Sequence, residues 1–244
     1  MMKLINKKRY AILLTFMIFP ILLILWYINV NNTNLTLKNH SYNRSSNDCV
    51  IYIYENDRLC PYLVIDDDYN GMCLLLRQDL LDVNMSFDKK SSYYANCDLD
   101  AYLNQEFFYS LSCNLQELIP ETDIEITSKE SIGSCGYITK TIKRKVFLLS
   151  CTEVGLKNNS LLVSEGEKID FFNTSAHLIA FQNNSPSSWW LRSSYTWYRN
   201  AAWAIGSNGK IGSGDVSALN GVRPAFCIKG DIEVYKKDNI YYID

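Results

Sequence analysis

Histidine is nearly absent from this chain of 244 residues, which holds only His40 and His177, and proline, at five, is scarce. No C-x-x-C pair and no H-x-x-x-H pair occurs, so the spacing of structural zinc sites is missing. With His177 the only histidine in the part that reads as folded, and no nucleophile-elbow motif, a Cys/His nucleophile pair has little to be built from. A cationic surplus is lacking too: 24 Lys and Arg face 26 Asp and Glu. Lys3, Lys7, Lys8 and Arg9 crowd the N-terminus, which leaves the remainder acidic. Nucleic-acid binding rests on clustered cations against phosphates and is not expected. Asp66, Asp68, Asn70 and Gly71 open like a calcium loop, but the twelfth position, which needs a bidentate Glu, is Arg77. That segment reads as a hairpin turn. No metal and no cofactor is implied.

A long uncharged run occurs once, from Tyr10 to Val30. About 20 apolar residues span a hydrocarbon core of roughly 30 Å. The cations before the run set a cytoplasmic N-terminus by the positive-inside rule, with everything after residue 30 outside. No small-x-small cleavage site follows, so an uncleaved signal anchor is expected rather than a removed signal peptide. The expected organisation is a cytoplasmic tail at 1–9, a transmembrane anchor at 10–30, a polar linker at 31–48 with a solvated His40, and an extracytoplasmic domain at 49–244.

Within that domain, Cys49 to Glu55 alternates as a strand, and Tyr62–Ile65 and Met72–Leu76 form a hairpin. Leu99, Tyr102, Leu103 and Phe107 have helical spacing over Cys97–Ser110, with Asp98 or Asp100 as cap, and Asn114–Pro120 is a second short helix. Ile124–Thr127 and Lys145–Ser150 are strands, and Ser128–Arg144 between them is a mobile loop. The segment SAHLIAF around His177 suits a short helix. Eight cysteines outside a membrane permit disulfides. Cys49 with Cys60 and Cys97 with Cys113 are plausible local bridges, while Cys73, Cys151 and Cys227 equally suit buried thiols.

Ser187 to Ile228 holds four of the five tryptophans. Its apolar runs at Trp189–Leu191, Ala201–Ile205 and Val222–Ile228 read as strands, and Asn208-Gly209 as a two-residue type I′ turn. Arg192 and Arg223 suit the tying of loop carbonyls, and Trp189, Trp190 and Trp203 suit a core. Tyr195, Trp197, Tyr198, Arg199 and Asn200, with Asn208, Asp215 and Asn220, combine aromatic area and adaptable polar groups on loops, the composition of a recognition surface.

WWLRS at Trp189–Ser193 and GVRPAF at Gly221–Phe226, which includes Pro224, resemble the signature of an uncharacterised bacterial domain family. KVFLLS is similar to that family's central strand, and YLN at Tyr102–Asn104 stands where the family has a WLN-like motif. That family resembles the C-type-lectin-like fold in the broad sense that includes formylglycine-generating-enzyme-like domains and the variable proteins of diversity-generating retroelements. The resemblance implies an α+β, C-type-lectin-like fold of loop-rich antiparallel sheets with two short helices. It also implies a contact surface at 194–220, where the variable proteins place their diversified residues. The paired cysteines that formylglycine-generating activity needs are missing after Cys151, where only Cys227 remains, and the EPN, QPD and WND motifs of sugar-binding lectins are absent. The expectation is a membrane-anchored module that recognises an extracellular protein or glycan, with an enzyme of unidentified residues or a structural envelope component as alternatives.

Overall fold

Alternation sets the first strand. In β1 (Val50–Glu55) Ile51, Ile53 and Glu55 point inward while Val50, Tyr52 and Tyr54 are half-buried. The computed structural model describes residues 35–45, 49–156 and 159–243, so the expected tail at 1–9 and anchor at 10–30 lie outside them. No helix among the described residues is long and apolar enough to cross a membrane.

β1 joins a seven-stranded sheet in the order β15 (Tyr235–Lys237), β16 (Ile240–Ile243), β1, β2 (Arg58–Tyr69), β3 (Met72–Arg77), β14 (Ala225–Ile228), β7 (Val146–Phe147). A five-stranded sheet runs β12 (Ile211–Asp215), β11 (Ala201–Ile205), β10 (Trp189–Ser194), β13 (Asn220–Gly221), β4 (Asn84–Met85). Two hairpins complete the set, β5 (Thr122–Thr127) with β6 (Thr139–Arg144) and β8 (Ala180–Gln182) with β9 (Ser185–Ser187). β14 lies inside the large sheet and is buried at every residue, so AFCI carries no alternation.

Four reversals are made by residue pairs with positive φ at both positions: Asn56-Asp57, Asn70-Gly71, Asn183-Asn184 and Asp238-Asn239. Each closes a two-residue hairpin whose primed turn matches the strand twist, and Asn, Asp and Gly tolerate that backbone region best.

The expected α+β, C-type-lectin-like fold is corrected by this architecture. Sheet dominates, and the helices are short and few among the described residues. The helix expected over Cys97–Ser110 forms as α-helix Asp98–Tyr102, a π-helical turn Leu103–Phe107 and α-helix Phe108–Ser110. Its cap is neither Asp98 nor Asp100, since Cys97 Sγ accepts from the Asp100 N–H at 3.3 Å. Asp100 is buried and binds Arg144 at 2.7 Å.

Other expectations are also revised. Ser128–Arg144 is no free loop, because β6 pairs with β5 over six residues. With Lys140, Lys143 and Arg144 among its six residues and none of them buried, TKTIKR is an exposed strand. Of the expected linker, Leu37–His40 forms a 3₁₀ turn with Leu37 and His40 buried, and the His40 ring lies 4.3 Å from Tyr241. Backbone bonds from Leu37 and Lys38 to the Ile232 and Gly230 carbonyls, both 2.9 Å, hold this turn to the domain. Asn208-Gly209 is part of a three-residue loop: Gly206 N–H donates to Lys210 at 2.8 Å and Gly209, at φ +76, takes the left-handed position. The local bridges do not form, since Cys60, Cys97 and Cys113 are free thiols.

Candidate functional site

Every residue of β10, WWLRSS, is buried. Burial on both faces obliges each polar group to find a partner. The Trp189 and Trp190 indoles donate to the Leu178 and Met85 carbonyls at 3.0 and 2.9 Å. Arg192 forks onto Glu153 at 2.6 and 2.7 Å, and donates to the carbonyls of Glu125 (2.8 Å) and Leu148 (2.9 Å). Burial opposes the Arg192 charge, but Glu153 outweighs it and holds the guanidinium protonated. The Tyr69 hydroxyl and Ser150 N–H donate to the same carboxylate.

Beside this pair lies a second buried acid. Glu165 accepts from the Thr127 N–H and hydroxyl, both 2.5 Å, and from Ser193 Oγ at 2.6 Å. Burial raises its pKa above the ordinary carboxylate range despite the Arg192 charge and those donors. Arg223 is tied to the Arg77 and Gln78 carbonyls at 3.0 and 3.1 Å and stands 5.1 Å from the Trp189 ring centre. Desolvation lowers it to about 9, still charged at neutral pH. Trp203, Gly221 and Pro224 are buried as well. These residues form the internal scaffold of the five-stranded sheet and its junction with the large sheet.

The chain that leaves β10 has another character. Trp197 and Tyr198 are 56% and 58% exposed. Their backbone is nonetheless pinned: Thr196, Arg199 and Asn200 carbonyls accept from Gly133 (2.7 Å), Ser92 (2.8 Å) and Val216 (2.9 Å), and Tyr195 N–H donates to Ala201 at 2.9 Å. The half-buried Tyr195 ring stacks on Tyr198 at 6.1 Å and 16°, and also meets the Trp203 ring, tilted, at 5.2 Å. The Trp203 indole N–H beneath has no hydrogen-bond partner. Asn200 donates to Asp215 at 2.8 Å, and Ser217 donates twice to the same carboxylate, which keeps it below the usual range.

Tyr195, Trp197, Tyr198, Arg199, Asn200 and Asp215 thus converge on one patch. Asn208 and Asn220 do not. Asn208 sits in the loop at the far end of the β11–β12 hairpin, beyond the four residue steps, about 13 Å, that separate the Ala201–Asp215 pair from the Ile205–Ile211 pair. Asn220 lies across β10, near Gly214 on the face that carries Trp190, where it accepts from Ser188.

Two features escaped sequence reasoning. The loop Lys129–Ile138 buttresses the patch, with Gly133 set against the Arg199 side chain. Nothing in its composition marks it. The second is a groove of about 850 Å³ between the β1–β2 tip, the β8–β9 tip and the π-helical turn. Glu55 and Arg77 pair on its floor at 2.8 Å. An inward-facing glutamate at the end of β1 was the available signal. Cys60, also on the floor, is no activated nucleophile, since burial and then Glu55 raise its pKa. His177 stacks on Phe171 at 4.3 Å, with Nδ1 against the Phe171 carbonyl. Among the described residues no group of His, Cys, Asp and Glu converges to hold a metal.

Fold and patch together define a sheet-rich domain that presents an anchored aromatic loop. The chain belongs to the family described as Domain of unknown function (DUF6273), whose model matches residues 70–230. That span covers β3 through β14 and therefore the whole patch. No curated protein and no solved structure matches the chain.

Proposed function

We propose that this domain is a recognition module whose ligand, an extracellular protein or glycan, is contacted by Trp197, Tyr198 and the half-buried Tyr195. One observation carries the reading: two large aromatic side chains stand more than half exposed on a loop whose backbone is fixed at both ends. Exposed apolar surface forgoes about 25 cal/mol per Å² of burial. A rigid aromatic with few torsions to freeze recovers that on binding at small entropic cost. Asn200 and Asp215, held by their own hydrogen bond, supply polar contacts at the border. The extracytoplasmic setting is an inference from the charge asymmetry of residues 1–30 alone. A partner reached by recognition needs no cofactor, and the acidic chain favours no nucleic acid.

Trp197 provides the readout, because the other three tryptophans among the described residues, Trp189, Trp190 and Trp203, are buried. Titration with soluble cell-surface glycans and proteins should shift or quench the emission of the parent and leave Trp197→Phe unchanged. A response that persists in Trp197→Phe, or none across the panel, contradicts the proposal.

A further inference from the structure

Eleven large apolar side chains stand exposed among the described residues, and four of them, Leu59, Val83, Tyr109 and Phe181, line one groove, above the Glu55–Arg77 pair. Such clustering marks contact surface better than scattered exposure does. A second observation is independent of it. The wall that carries Glu106 and Phe107 is the π-helical turn, closed by the Phe108 N–H on the Leu103 carbonyl, and Tyr102 lines the groove from the residue just before it. Such turns are rare and recur at functional sites.

The chemistry of the groove selects an occupant. Its floor offers no free donor: Arg77 spends its N–H groups on Glu55, on Cys60 Sγ and on the Asp79 and Leu80 carbonyls, and Tyr62 also donates to Glu55. The lining holds the carboxylates Glu55, Asp79, Asp82 and Glu106 against the guanidiniums Arg58 and Arg77, four minus two, a net of two negative charges. Arg58 and Asp82 approach only to 3.8 Å at 79% and 72% side-chain exposure, too loosely to neutralise each other. Two stretches of the lining set a solvent-facing carboxylate close to an exposed apolar side chain, Asp82 next to Val83 and Glu106 one turn from Tyr109. We infer that this groove binds an extended peptide in which apolar or aromatic side chains alternate with Lys or Arg. It is a site separate from the Trp197 loop.

The test uses the full chain and two fluorescein-labelled hexapeptides, one alternating lysine with phenylalanine, the other with glutamate for lysine, followed by anisotropy. The lysine peptide should bind at least ten-fold more tightly than the glutamate peptide. Tyr109→Ser with Phe181→Ser, both at exposed positions, should weaken it ten-fold or more. Asp82→Asn with Glu106→Gln should flatten its salt dependence, and Trp197→Ala with Tyr198→Ala should leave it unchanged. Absence of binding, equal binding of the two peptides, or loss only in the Trp197/Tyr198 variant overturns the inference.

Discussion

Arg192 and Glu153 form a two-pronged ion pair with neither side chain exposed, 39 positions apart in the chain. The pair ties β10 to the turn after β7 and so fixes the strand from which the aromatic loop departs. Removing one partner leaves a buried charge alone, which costs about 3–5 kcal/mol. Arg192→Met should lower the urea midpoint accordingly, and adding Glu153→Leu should recover part of the loss. A single variant as stable as the parent would show that the pair is not buried as described.

Glu165 gives the domain a pH dependence of defined sign. Its folded pKa is raised by burial. The stability associated with its protonated form is therefore complete below the ordinary carboxylate range and is lost as pH rises through the raised value. In Glu165→Gln the amide oxygen keeps the Thr127 donors. Urea unfolding from pH 4 to 8 should show the variant gaining on the parent as pH rises. A constant difference across that range would contradict it.

The aromatic residues divide by exposure. Trp203→Ala removes a buried ring and should cost about 3–5 kcal/mol. Trp197→Ala and Tyr198→Ala should stay within about 0.5 kcal/mol of the parent. Thermal melts of the three variants decide this, and an equal loss in all three would place the loop aromatics in the core.

Cysteine labelling tests the burial pattern. Burial raises the Cys73 and Cys97 thiols to about 12, and Cys151 and Cys227 are raised by burial as well. Cys113 is exposed and Cys135 half-buried. Under native conditions a thiol reagent should modify Cys113 and Cys135 quickly, and Cys73, Cys97, Cys151 and Cys227 only after denaturation, as read by mass spectrometry. Rapid native labelling of Cys151 would refute the packing around β10.

Gly221 is a packing requirement. A Cβ there would run into Leu80 Cδ1 and stand 2.8 Å from the Ser188 carbonyl. Since the carbonyl is backbone, Gly221→Ala should cost about 1–3 kcal/mol in denaturant unfolding.

Much of the fold was legible where periodicity and turn chemistry agreed. VIYIYE alternates, Asn70-Gly71 closes its hairpin, and AAWAI pairs on either side as a strand. The overall class was not legible, because the number and pairing of strands depend on contacts between distant segments. TKTIKR hid a strand behind solvent-facing charge, and the polar run at 35–45 hid the two side chains, Leu37 and His40, that dock it. The loop aromatics could be named from sequence, whereas their neighbours could not. Gly133 and Ser92 reach the loop through backbone donors, which no side-chain pattern encodes.

The proposed recognition role rests on Trp197 and Tyr198. Its most direct test is an array of cell-surface glycans and proteins probed with the parent chain and with Trp197→Ala/Tyr198→Ala, after matched melts confirm that both are folded. Retention on the array by the parent and its loss in the variant is the expected result. Equal retention by both, or retention by neither, would contradict a recognition role for the loop.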